Sequence, residues 1–167
     1  MEVVFYEAMR AGYATGVKPE DVPGLPGAKM IRFEQGGWRV DDVWYAPNHS
    51  SKSFGSITIF ADGEPYWVFQ FRGWYEQGVL PFLKLALGSE YKNPHVNTNS
   101  ADPQFFTACR GPRYFKAKID PSLCYVNLPD PLGTFSDFTG AETIYGVNNC
   151  IRGMHRYSGY SLLGRKQ

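Results

Sequence analysis

The chain has 167 residues, with eleven Tyr, twelve Phe and four Trp, a charged fraction of 20% and a formal net charge of +1. It is long enough for one domain that buries roughly 70% of its unfolded surface, and too aromatic and weakly charged to stay disordered. With no global field it has no general means of gathering nucleic acid or an anionic membrane.

From the N-terminus, residues 2–12 place Val4, Phe5, Ala8 and Ala11 on one helical stripe with Met9 at its edge, which predicts a short amphipathic helix ending near Gly12. Residues 16–28, rich in Gly and Pro, read as a loop. Strand-like runs at 29–34 and 38–45 flank Gly36-Gly37, and Asn48 to Ser53 is polar. Asn48-His49-Ser50 matches a glycosylation triplet, a pattern common by chance. A hairpin covers about 55–72. Val79 to Leu87 suits a short buried helix with Pro81 in its first turn and Gly88 as its stop. Residues 89–104 read as a long polar loop, followed by strands near 113–119 and 123–128, a second hairpin and a basic tail from Leu163.

The two hairpins share a pattern. Phe54-Gly55-Ser56-Ile57-Thr58-Ile59-Phe60 leads through Asp62-Gly63 to Tyr66-Trp67-Val68-Phe69-Gln70-Phe71 and Gly73-Trp74. Phe138-Thr139-Gly140-Ala141-Glu142-Thr143-Ile144-Tyr145 leads through Asn148-Asn149 to Ile151, Tyr157 and Gly159-Tyr160. The expected fold is therefore α+β and β-rich: antiparallel sheet built from two pseudo-repeated hairpin units, with short helices at the N-terminus and between the repeats. One domain spans 1–167, with pseudo-repeat halves at about 29–88 and 105–162.

Several motifs together resemble a bacterial domain-of-unknown-function family, number 5680, found alone or behind helix-turn-helix regulator domains. They are Pro26-Gly27-Ala28-Lys29, Gly37-Trp38-Arg39 with Asp42 and Trp44-Tyr45, the first hairpin, Arg110-Gly111-Pro112 with Tyr114, and Phe138-Thr139-Gly140-Ala141-Glu142. The family's Phe-x-Gly-x-Glu is intact at Phe138–Glu142, whereas the first copy carries Ile57 at the Glu position. The resemblance implies a fold and no established activity. No helix-turn-helix pattern precedes the domain in this sequence, so nothing here carries the regulatory role of the fused forms.

The halves differ where chemistry could sit. A three-residue loop at Asp62-Gly63-Glu64 sets Ile57 across from Phe69 and Ile59 across from Trp67, giving a continuous apolar face; a two-residue turn would pair Ile57 with Val68 and split that face. In the second hairpin, two- and four-residue loops around Asn148-Asn149 both set Ile144 opposite Gly153 and Glu142 opposite His155. A carboxylate and an imidazole then face each other inward where the first hairpin has apolar residues, and Gly153, in place of Trp67, leaves space beside them. The carboxylate raises the ring's pKa and burial lowers it. A satisfied structural pair is the alternative. Trp38, Asp42 and Trp44 share one strand face, either a wall for a cation or a solvated face.

The expected activity is small-molecule binding, in a sensor or sequestering role, with Glu142 and His155 as polar anchors and Tyr157, Trp38, Asp42 and Trp44 as further pocket residues. One alternative is a small hydrolase or isomerase using the Glu142–His155 pair. Another is an interaction module, or a homodimer, meeting its partner through Trp74 and Tyr160. No cofactor is expected, and no metal, because His49, His95 and His155 are far apart. Cys109, Cys124 and Cys150 form no CxxC, and Cys109 beside Arg110 reads as a buried inert thiol or a lowered one. No apolar run or leader pattern points to a membrane or to export, so the expected partners include neither membrane nor nucleic acid and the expected location is cytoplasmic.

Overall fold

The computed structural model describes residues 1–92, 113–118 and 120–164. Cys109, His95, Arg110-Gly111-Pro112, the loop from 93 to 104 and the tail end lie outside the described residues. The segments rich in β-branched and aromatic residues form one antiparallel sheet. Its strands are β1 (Glu20–Asp21), β2 (Ala28–Gln35), β3 (Trp38–Tyr45), β4 (Lys52–Ala61), β5 (Glu64–Tyr75), β6 (Arg113–Ala117), β7 (Asp120–Pro129), β8 (Asp137–Tyr145) and β9 (Ile151–Ser161). The order is β1-β2-β3-β4-β5-β9-β8-β7-β6, so two meanders meet where β5 pairs with β9. With two short helices, α1 (Glu2–Ala11) and α2 (Leu80–Lys92), the class is α+β. No helix among the described residues is long and apolar enough to cross a membrane.

Both hairpins have the expected registers, reached by a different route. Ile57 pairs with Phe69 and Ile59 with Trp67, but the connection is a two-residue turn, Asp62-Gly63, with positive φ at both positions as a type I′ turn requires. A β-bulge at Tyr66 takes up the extra residue. Likewise Ile144 pairs with Gly153 and Glu142 with His155, while Tyr145 pairs with Ile151 and Arg152 is bulged. In each case the bulge returns the apolar set to one face, which a one-residue slip would have exposed.

The helices differ in detail from the expectation. The buried face of α1 is Phe5, Tyr6, Ala8 and Met9, with Ala11 exposed, so the helix is rotated to bury a tyrosine. Helix α2 runs through Gly88 to Lys92, taking Ser89–Lys92 out of the expected polar loop. Gly88 lies within the helix and does not end it, and a Cβ there would make only an ordinary contact, 3.8 Å from Ala14 Cβ.

One core cluster joins Phe5 and Met9 of α1 to Val40, Ile57, Ile59, Trp67 and Phe138 of the sheet. The Trp67 ring stacks on Phe135 at 4.5 Å and its Nε1–H donates to the Phe135 carbonyl at 2.7 Å. A second cluster joins Phe82, Leu83 and Ala86 of α2 to Tyr75, Leu123, Tyr125 and Ile144. Both helices therefore cover the same face of the sheet.

Candidate functional site

A cavity of about 640 Å³ lies on that face, lined by both core clusters and edged by the exposed segment Ala46–Lys52. Strand alternation decides which residues reach it. From β3 come Asp42 and Trp44, from β5 Phe69, Phe71 and Tyr75, and from β7 Tyr125 and Asn127. Glu142 comes from β8, and His155 and Tyr157 from β9.

Cross-strand glycines let the rings lie flat. Gly140 pairs with Tyr157, Gly55 with Phe71, and Gly153 with Tyr75. A Cβ on Gly153 would stand 2.1 Å from Tyr75 Cδ1, so the space expected beside Gly153 is filled by the Tyr75 ring and the cavity lies elsewhere. The Gly–aromatic pattern legible in the sequence is thus first a packing device.

Glu142 is the hub of the polar network. Its Oε1 accepts from the Tyr75 hydroxyl at 2.7 Å and its Oε2 from the Tyr125 hydroxyl at 2.6 Å. His155 Nδ1 lies 3.7 Å from Oε1, beyond hydrogen-bond reach, while Nε2 stands 2.9 Å from Ser53 Oγ. Of the two opposing influences on the ring, burial wins: His155 is pushed down to about 4 and is neutral at physiological pH. A tautomer with the proton on Nδ1 lets Nε2 accept from the Ser53 hydroxyl. Tyr157 donates to Asn127 Oδ1 at 2.5 Å. Burial, followed by the Glu142 charge, pushes the Tyr75 and Tyr125 hydroxyls well up, so both remain donors.

Asp42 is different. It is 8% exposed, its cross-strand neighbours are Ile31 and Ile57, and Oδ1 has no hydrogen-bond partner among the described residues. Burial pushes its carboxyl up to about 7. Beside it the Trp44 ring meets Tyr13 edge-to-face at 6.0 Å.

Five of the six sequence-selected residues therefore line one cavity: Glu142, His155, Tyr157, Asp42 and Trp44. Trp38 does not. It shares their face but sits at the other end of β3, against Tyr66 at 6.2 Å and the first core cluster. Sequence reasoning missed Tyr125 and Asn127, although both share parity with Leu123. Nothing in the sequence singled out Ser53.

Trp74 and Tyr160 lie on the opposite face of the sheet, across from Met154 and Val68. Val68 to Trp74 spans about 20 Å of strand, and Arg72 and Arg156 intervene. They form no single apolar patch. Among the described residues, no group of three or more His, Cys, Asp or Glu is placed to hold a metal ion, and Cys124 and Cys150 are free.

No family model, curated protein or solved structure matches this chain.

Proposed function

We propose that the chain binds a small, largely apolar molecule in this cavity, in a sensing or sequestering role. The observation that carries the reading is the cavity itself: about 640 Å³, walled by aromatic and aliphatic side chains, with a few convergent polar groups. That is the size and composition typical of ligand sites. The neutral dye Nile red is expected to bind wild type saturably at 1:1, and Leu87→Trp, which fills the cavity from α2, to weaken it by about tenfold or more. Dye uptake that does not saturate, or that a folded Leu87→Trp leaves unchanged, would sink the reading.

A second reading rests on one contact. Ser53 Oγ, His155 Nε2 and Glu142 follow one another at 2.9 and 3.7 Å, the order of a hydrolytic nucleophile, base and orienter. It has less support than binding, because both Glu142 oxygens serve tyrosines and an imidazole held at about 4 is a weak base. Covalent labelling of wild type, but not Ser53→Ala, by a fluorophosphonate would favour it; no labelling of either removes it.

Membership of the family numbered 5680, descent of the two hairpins from one duplicated unit, and cytoplasmic location belong to the same proposal. The duplication draws support from equivalent pairs, Gly55 opposite Phe71 and Gly140 opposite Tyr157.

A further inference from the structure

The cavity is not uniformly apolar, and away from its exposed edge, where Lys52 and His49 lie, its charged lining residues are acidic. Its acidic lining residues are Asp42, Glu90 and Glu142; the one lysine is Lys52, exposed at the edge, and His155 is neutral. Glu142 is satisfied by two phenols. Asp42 is more than nine-tenths buried, and its Oδ1 lacks any partner among the described residues.

An orphaned buried carboxyl oxygen carries a desolvation cost of roughly 1–3 kcal/mol, and more when ionised. Packing does not demand it here, since Ile31 and Ile57 on the neighbouring strands show that an aliphatic side chain fits this layer. A ligand that brings a donor, and best a positive charge, removes the cost. Trp44 and Tyr13 stand beside the carboxyl with their rings edge-to-face. An aromatic ring attracts a cation that comes to lie over its face. Lys84 Nζ, 4.9 Å from the Tyr13 ring centroid, already makes such a contact from outside.

We propose that the ligand is an organic amine with an apolar body, its ammonium donating to Asp42 Oδ1 beside Trp44 and Tyr13 and its body lying against Ile57, Phe69 and Phe71. This rests on the binding reading above and adds the ligand's class. Ionisation of Asp42 near neutrality supports it: an arriving cation supplies a countercharge to the buried carboxylate.

The test is calorimetric titration at pH 8 with 2-(1-naphthyl)ethylamine and its neutral isostere 2-(1-naphthyl)ethanol, on wild type and Asp42→Asn, with Nile red binding measured in parallel. Wild type is expected to prefer the amine by about tenfold or more, and Asp42→Asn, still folded by its melting curve, to lose that preference while keeping Nile red. Equal binding of amine and alcohol to wild type, or a preference that survives in Asp42→Asn, overturns the amine proposal and leaves the cavity reading standing. So does failure of both naphthyl compounds while Nile red binds. Failure of all three overturns both readings.

Discussion

Asp42→Asn is expected to gain about 3 kcal/mol of stability relative to wild type on going from pH 4.5 to pH 8. The folded carboxyl titrates near 7, against an ordinary value of 3.8. Between those values the folded chain holds a proton that the unfolded chain has released. The stability contributed by this group is therefore complete below about 4 and is lost as pH rises through 7. An amide at the same position has no proton to lose, and its Oδ1 keeps whatever cost the site imposes at every pH. Burial pushes Glu2 up to about 7, so it titrates in the same window, but it is present in both proteins and cancels. His155 works in the opposite sense: its folded value is depressed, so its contribution is present above about 6.5 and lost as pH falls towards 4. It too cancels in the difference. Urea unfolding of both proteins at several pH values measures the quantity directly. A difference flat to within about 1 kcal/mol would mean that Asp42 finds a partner when it ionises, and would remove the electrostatic argument for a cationic ligand.

The location of Asp42 also shows what strand alternation can and cannot say. Parity put Trp38, Asp42 and Trp44 on one face, because successive side chains alternate across a strand. It carries no information about where along the strand a cavity lies, and this one lies at the Trp44 end. Register was legible for related reasons: only one pairing of the first hairpin keeps its apolar residues together, which set Ile57 opposite Phe69, and a loop centred on Asn148-Asn149 set Glu142 opposite His155. The bulges at Tyr66 and Arg152 were not legible, since different loops with or without a bulge give the same pairing. Helix α2 passed Gly88 because a mid-helix glycine costs only roughly 1 kcal/mol locally, which the burial of Phe82, Leu83 and Ala86 against the sheet outweighs. The electrostatic balance at His155 was out of reach altogether. It depends on distances to Glu142, Ser53 and Tyr75 that only the packed sheet defines.

Those distances change the meaning of Glu142. Paired with His155 alone, it would be an orienter; bonded to Tyr75 and Tyr125, it is also a structural hub between β5, β7 and β8. Glu142→Leu is expected to destabilise the protein by about 3–5 kcal/mol, because it leaves two deeply buried hydroxyls without their acceptor at roughly 1–3 kcal/mol each and repacks the hub. Glu142→Gln should cost less, since its carbonyl still accepts from one tyrosine and its amide can donate to the other. The cost is recoverable if the attribution is right. Adding Tyr75→Phe and Tyr125→Phe to Glu142→Leu removes the orphaned hydroxyls and should restore a large part of the loss, the non-additivity expected of groups in one network. Unfolding in urea gives each term. If Glu142→Leu costs less than about 1 kcal/mol yet abolishes Nile red binding, the carboxylate serves the ligand and not the scaffold. A loss that the two phenylalanines leave untouched would place the cost in packing around the substituted side chain instead of in the phenols.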